Sequence, residues 1–190
     1  MKSTQAALVI LIILVIDQWS KFYIKTHFAL HDSVAVFSWF KIYFIENEGV
    51  AWGAKIPGHY GKLILTVFRL LAIVGIGYWL CEVIRKQASW VLTLSISLIF
   101  AGAMGNIIDS VFYGVFFEHS MGQVAQFLPD GGGYGKWLHG KVVDMFSFSF
   151  FNPVFNVADT AISTGVGLLV LFNKKAFPKA KLMGVDISES

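Results

Sequence analysis

Two aspartates near the end of the chain are the residues best suited to do chemistry. Asp144 and Asp159 lie fifteen positions apart in the stretch 140–159, which reads GKVVDMFSFSFFNPVFNVAD. Asp144 stands just ahead of an apolar run and Asp159 stands inside it. Carboxylates are costly where a membrane begins, so carboxylates placed there are candidates for function. Two of them brought close cannot both ionise cheaply, and such a pair can take a proton from water and polarise a carbonyl group.

The composition is that of a membrane protein. Of the 190 residues, 56% are hydrophobic and only 14% are charged, and the mean hydropathy is +0.65. These values lie well outside the range of soluble globular domains. The net charge of +3 is small and no basic run interleaves with aromatic residues, so nucleic acid is not an expected partner. Membrane lipids are expected to surround the chain.

The predicted fold is an all-α membrane protein with four transmembrane helices and a small extracytoplasmic β-sheet lobe. The predicted spans lie at about 5–27, 63–84, 89–112 and 150–172. The first span could instead be the apolar core of a cleaved signal peptide at Ala6–Ile16, but no small-residue cleavage site follows it. We favour a retained helix. Residues 1–190 are predicted to form one membrane-embedded domain.

The segments outside the membrane are predicted to carry the β lobe and a loop insertion. Within 28–61, Val34–Phe37 and Phe40–Ile45 have the β-branched and aromatic residues of short strands, and Glu46–Gly49 reads as a turn. Residues 113–141 have too few apolar runs to cross a membrane. They are predicted to be an insertion on the same side as the lobe.

The basic residues predict the orientation. Four spans place both termini on one side, together with Lys2, the short loop at Arg85 and Lys86, and four lysines in the tail. Short basic loops stay in the cytoplasm, so both termini are predicted to be cytoplasmic. Arg69, near the start of the second span, is expected to extend to the interface, with pairing to a buried carboxylate as the alternative.

Polar residues fall in pairs on single helix faces within these spans. The pairs are Asp17 with Lys21, Asn106 with Asp109, and Asn156 with Asp159. At about 1.5 Å per residue, Asp17 lies roughly 16 Å up the first helix and Asp159 roughly 13 Å below the outer surface. The pairs are therefore predicted to meet in the outer half of the bilayer. On spacing alone, Asp17 and Lys21 could be a buried pair or a pair that extends to the helix end.

Five motifs in chain order resemble those of the bacterial lipoprotein signal peptidases, the signal peptidase II family. They are DQWSK at 17–21, ENEGVAWG at 46–53, GAMGNIID at 102–109, VVDMF at 142–146 and FNVAD at 155–159. Each motif alone is a weak signal, whereas five in the expected order are highly specific.

The resemblance implies an aspartic endopeptidase, with no metal or other cofactor, that removes the signal peptide from a prolipoprotein by cleaving before its diacylglyceryl-cysteine. Asp144 and Asp159 correspond to the catalytic aspartates. The residues implied to support the site or position the substrate are Asp17, Lys21, Asn47, Gly49, Asn106, Asp109, Asn156 and Ala158. The family also implies an inner-membrane enzyme, active near the outer leaflet and inhibited by globomycin. We expect a monomer.

Two departures from the family pattern and one rival function remain open. Ser110 stands where the family usually has Arg, which leaves open what holds Asp109. Val111–Lys141 is longer than in many members, and we predict an extra lobe over the active site that affects substrate entry.

The rival function is a small proton-coupled transporter, which would need a polar path to both faces. The inner halves of the spans are nearly free of ionisable groups, which favours an enzyme.

Overall fold

The computed structural model describes residues 1–48 and 61–178. Within these ranges, three helical segments are long and apolar enough to cross a membrane: Ser3–His27, Leu63–Arg85 and Trp90–Phe116. The helices are α1 Ser3–His27, α2 Gly61–Arg85, α3 Trp90–Ile108, α4 Gly114–Phe116, α5 Val157–Leu171 and α6 Asn173–Ala176. One turn of π-helix, Asp109–Tyr113, joins α3 to α4. The first three predicted spans coincide with these helical segments to within a few residues.

The fourth predicted span starts later and is shorter than expected. The sequence indicated a helix over 150–172, but Phe151–Phe155 is a strand and α5 begins only at Val157. Asn156 sets this start, since its side chain accepts a hydrogen bond from the backbone N–H of Asp159. The 15 residues of α5 extend about 22 Å, less than the ~30 Å hydrocarbon core. The count of four spanning helices is not confirmed.

Four strands form one antiparallel sheet, two of them directly after α1 and two directly before α5. Its strands stand side by side in chain order: β1 Ser33–Phe37, β2 Phe40–Asn47, β3 Val142–Phe148 and β4 Phe151–Phe155. The strands predicted at 34–37 and 40–45 are confirmed, although β2 continues through two residues that had been assigned to a turn, Glu46 and Asn47. The sequence analysis missed β3 and β4. Pro153 lies in β4 at the edge of the sheet, which is where a residue without a backbone N–H is tolerated.

The pairing of β2 with β3 joins parts of the chain that are almost one hundred residues apart. Ile45 stands opposite Asp144, Glu46 opposite Val143 and Asn47 opposite Val142. The end of β2 therefore lies beside the start of β3, where one of the two candidate carboxylates is found.

The core beneath the sheet ties these strands to the helices. Its buried members come from α1, β2, β3 and the π-helical turn with the residues after it: Ile24, Phe44, Tyr113, Phe117, Val143 and Met145. Burial of large apolar side chains stabilises such a cluster by about 1.5–3 kcal/mol each. The sheet is thus packed directly on the end of α1 and on the extension of α3.

Residues 117–141 account for most of the predicted insertion, since 113–116 are still helical. Isolated β-bridges pair Phe117 with Phe127 and Ala29 with Val124. The segment therefore folds back on itself and contacts the chain just beyond α1. Its predicted effect on substrate entry stays a prediction.

Small residues allow α3 and α5 to pack closely. A Cβ atom added to Gly102 would collide with the backbone carbonyl of Ala158, and one added to Gly105 would lie 2.5 Å from an oxygen of Asp17. Backbone contact of this kind is how apolar helices associate in a membrane. It also places the start of α5 against α1 and α3.

Alanine substitutions at two glycines of α5 should separate close packing from helix propensity. A Cβ at Gly165 would lie 2.6 Å from the carbonyl oxygen of Ser95, whereas one at Gly167 meets nothing within 4 Å. We expect Gly165→Ala to cost about 1–3 kcal/mol through overpacking. Gly167→Ala should be neutral or stabilise by up to about 1 kcal/mol. Thermal unfolding in detergent micelles measures both, and equal melting temperatures would contradict the packing described here.

Candidate active site

The two aspartates are brought together by a strand and a helix N-terminus. Asp144 is the third residue of β3 and is 1% exposed, and Asp159 is the third residue of α5 and is half-buried. Asp159 was expected well inside a helix that starts near residue 150, but it lies in the first turn of α5 because the preceding apolar residues form β4. Both carboxylates are therefore held at the ends of regular elements, where the backbone itself is fixed.

Asn156 connects the two carboxylates. Its Nδ2 lies 2.7 Å from Asp144 Oδ1 and 3.1 Å from Asn106 Oδ1, and its Oδ1 accepts a 2.8 Å hydrogen bond from the backbone N–H of Asp159. The residue is 0% exposed. One amide thus contacts the first aspartate through its nitrogen and caps the helical turn of the second through its oxygen.

Asn106 orients the side chain of Asp159. Its Nδ2 donates to Asp159 Oδ1 at 2.8 Å, and its Oδ1 accepts from Lys21 Nζ at 2.9 Å. An ammonium group can only donate, so Lys21 fixes which end of this amide is the oxygen. The other end must then point its N–H group at Asp159.

A buried three-residue ion cluster stands behind this arrangement. Lys21 Nζ lies 2.9 Å from Asp17 Oδ2 and 2.9 Å from Asp109 Oδ2, and all three side chains are 0% exposed. Of the two readings left open by spacing, the buried pair is therefore the observed one. Ser110 stands where an Arg was expected to hold Asp109. In this chain Lys21 supplies the positive charge that holds Asp109.

The two carboxylates of this cluster also hold the backbone next to each candidate catalytic residue. Asp17 Oδ1 accepts from the N–H of Ala158 at 2.8 Å, one residue before Asp159. Asp109 Oδ2 accepts from the N–H of Val143 at 3.2 Å, one residue before Asp144. The predicted site residue Ala158 therefore contributes its backbone and, with 0% exposure, its small size.

Two residues contribute to the site although the sequence analysis gave them no such role. Gln18 Nε2 donates to Asp17 Oδ2 at 3.1 Å and to Asp109 Oδ1 at 3.0 Å, and its position three residues before Lys21 on one helix face was the available signal. Arg69 on α2 was expected to extend to the interface. It is half-buried, and its charge interacts with those of Asp159, Asp144 and Asp109.

Asn47 approaches Asp144 from the end of β2. Its Nδ2 lies 3.3 Å from Asp144 Oδ2, so the two oxygens of this carboxylate face two different amides, those of Asn47 and Asn156. Gly49, the other residue predicted from the same motif, lies outside the described residues.

The environment of Asp144 favours its protonated form. Burial raises the pKa of this carboxyl to about 7, with a further contribution from the negative charge of Asp159, while the hydrogen bond from Asn47 acts in the opposite direction. A proton is therefore retained on Asp144 up to near-neutral pH. Together with Asp159, it forms a pair in which one group can donate a proton while the other accepts one.

Comparisons with known proteins identify the family of this chain. The family model described as Signal peptidase (SPase) II matches residues 9–174. A lipoprotein signal peptidase of Porphyromonas gingivalis (strain W83) is 45% identical over 186 residues, which cover 87% of this chain and 80% of the relative. That of Syntrophus aciditrophicus (strain SB) is 32% identical over 163 residues, covering 84% and 86%.

One solved structure has a similar fold. It is described as a bacterial membrane enzyme structure by the in meso method at 2.3 Å resolution, and it aligns with a TM-score of 0.68 at 26% identity. The alignment covers 96% of this chain and 95% of that one. Since the family model spans most of the sequence and its relatives match along most of their length, this chain belongs to the signal peptidase II family.

Proposed function

We propose that this protein is a membrane aspartic endopeptidase that removes the signal peptide from prolipoproteins by cleaving before the diacylglyceryl-cysteine. Membership of the signal peptidase II family supports this reaction, and the comparisons give no support to a proton-coupled transporter. The observation that carries the catalytic assignment is the contact of the single Asn156 amide with Asp144 on one side and with the helical turn of Asp159 on the other.

In the proposed reaction, Asp144 begins protonated and Asp159 begins as the carboxylate. Asp159 takes a proton from a water molecule, the water oxygen attacks the scissile carbonyl carbon, and Asp144 gives its proton to the carbonyl oxygen. One hydroxyl of the resulting diol then returns a proton to Asp144, Asp159 protonates the amide nitrogen, and the C–N bond breaks. The signal peptide leaves with a new carboxyl terminus, and the lipid-modified cysteine gains a free amine.

The pair carries one negative charge at every stage of this cycle. The surroundings must therefore stabilise one charge rather than accommodate a change in charge. Arg69 is suited to this role, since its guanidinium interacts electrostatically with both Asp159 and Asp144. The amides of Asn47, Asn106 and Asn156 donate hydrogen bonds to the same two carboxylates.

We further propose that the enzyme lies in the bacterial inner membrane, with both termini cytoplasmic and the active site near the outer leaflet. The family and the apolar helices make it a bacterial membrane protein. The cytoplasmic position of both termini is supported by the basic residues at the two termini and in the α2–α3 loop. We expect the enzyme to work as a monomer on its lipidated substrate, surrounded by membrane lipids.

The proposed reaction can be tested with purified protein and a diacylglyceryl-modified prolipoprotein. We expect cleavage before the modified cysteine, located by mass spectrometry of the product, and inhibition by globomycin. The unmodified prolipoprotein is the matched control substrate. A well-folded enzyme that leaves the lipidated substrate intact would refute the proposed function.

Replacing either aspartate by asparagine should abolish turnover without unfolding the protein. Acid/base groups contribute about 10² to 10⁴-fold in rate, so we expect Asp144→Asn and Asp159→Asn to lose at least this much kcat. Asp130→Asn is the matched control, since Asp130 is exposed in the loop segment. Near-normal cleavage by either active-site variant, at unchanged melting temperature, would refute its assignment.

The rate should fall as the pH rises above about 7, because the pair then loses its shared proton from Asp144. The hydrogen bond from Asn47 lowers the pKa of Asp144, so Asn47→Ala should raise that pKa and move the alkaline limb to higher pH. The measurement is kcat from about pH 5 to 9. Asn152→Ala, at an exposed position in β4, is the control. An unmoved limb in Asn47→Ala would contradict this account.

A further inference from the structure

A second buried charge cluster lies at the end of α1, and the proposed mechanism does not use it. Lys25 Nζ lies 2.5 Å from Glu46 Oε1 and 2.9 Å from Ser120 Oγ, and the side chain of Lys25 is 0% exposed. The second oxygen of Glu46 lies 3.4 Å from Lys141 Nζ. We call Lys25, Glu46, Ser120, Tyr134 and Lys141 the Glu46 cluster.

Aromatic rings enclose the ammonium group of this cluster. Lys25 Nζ lies 5.0 Å from the ring centroid of Tyr134, 5.5 Å from that of Phe117 and 5.9 Å from that of Phe44. Burial acts to raise the pKa of Glu46, but the charge and hydrogen bond of Lys25, the charge of Lys141 and the hydrogen bond from Ser120 together outweigh it and hold this pKa below its usual range. Glu46 is therefore a carboxylate at neutral pH in a largely buried site.

Glu46 joins the two strands that converge on Asp144. It directly precedes Asn47 in β2 and stands opposite Val143 in β3. Lys141, which contacts its second oxygen, directly precedes β3. One carboxylate is thus tied to α1 through Lys25 and to the beginning of β3 through Lys141.

The segment 117–141 completes the cluster. Ser120 Oγ donates to Glu46 Oε1 at 3.2 Å, and the Tyr134 hydroxyl accepts a 2.7 Å hydrogen bond from the backbone N–H of Lys141. Phe117 and Tyr134 supply two of the three rings around Lys25. The segment therefore helps to bury the pair, and its Tyr134 holds Lys141, the residue that leads into β3.

We propose that Lys25 is a positioning residue of the active site, whose ion pair with Glu46 fixes the end of β2 and thereby holds the Asn47 amide against Asp144. The proposal rests on the proposed function, because it concerns the same site. A buried ion pair contributes little net stability, and in some proteins such pairs specify geometry instead. Here the geometry that it specifies is the position of β2 relative to β3 and α1.

The first test compares the same substitution at two lysines. Lys25→Met removes the charge with little change in length and leaves Glu46 buried with one partner fewer. We expect kcat to fall about tenfold and KM to change less than about twofold, since a small misplacement of a catalytic neighbour acts on turnover. Lys41→Met, at an exposed position of β2, should have the kcat of the wild type. Wild-type kcat in Lys25→Met would overturn the proposal.

The double variant Lys25→Met/Glu46→Met separates positioning from stability. Replacing both charges of a buried pair with apolar side chains is often neutral or stabilising, so its melting temperature should return towards the wild-type value. Its kcat should stay low, because apolar contacts do not fix the strand end. If kcat recovered together with the melting temperature, the role of the pair would be structural only and the proposal would be wrong.

Amide hydrogen exchange provides a readout that does not depend on activity. In both variants we expect faster exchange in Phe40–Asn47 and Val142–Phe148, with Val157–Leu171 unchanged as an internal control. Wild-type exchange in these strands would overturn the proposed positioning even if the enzyme cleaved its substrate. If the wild type failed to cleave prolipoprotein, the proposed function would fall, and the exchange data would still decide what Lys25 does.

Discussion

The ion cluster of Lys21 with Asp17 and Asp109 is the constraint on which the rest of the site depends. Taking three charges out of water is expensive, and removing one partner from such a cluster typically costs about 3–5 kcal/mol. The cluster is fully satisfied, because each carboxylate also accepts a backbone N–H group, from Ala158 and Val143 respectively. These two bonds tether α5 and β3 one residue before the residues that we propose to be catalytic.

The charges of the same cluster have opposing effects on the pKa of Asp144. The positive charge of Lys21 lowers the pKa of Asp144 and the negative charge of Asp109 raises it, so these two effects oppose each other. Burial and the charge of Asp159 are the larger influences. The enzyme can therefore hold a rigid, charged support close to its proton-exchanging pair without forcing that pair into one ionisation state.

The sequence predicted the polar pairs better than the elements that carry them. Spacing of four residues put Asp17 and Lys21 on a shared helix face, and their ion pair is observed. Asn156 also contacts Asp159, but as the N-cap of α5 through the backbone N–H of Asp159 rather than from a shared helix face. The strand holding Asp144 was missed because its partner β2 lies almost one hundred residues earlier, and a pairing so distant leaves no local periodic signal. The following apolar residues looked like part of a membrane span because strand and helix share an apolar composition.

One face of α1 positions the backbone of the whole site. Asp17, Lys21 and Lys25 follow one another at intervals of four residues, so they form a row along the helix that rises about 6 Å per step. All three side chains are 0% exposed. The first two belong to the cluster that tethers α5 and β3, and the third contacts Glu46 at the end of β2. Because a helix is rigid along its axis, this row holds three elements relative to each other: β3 carries Asp144, α5 carries Asp159, and β2 carries Asn47, whose amide contacts Asp144.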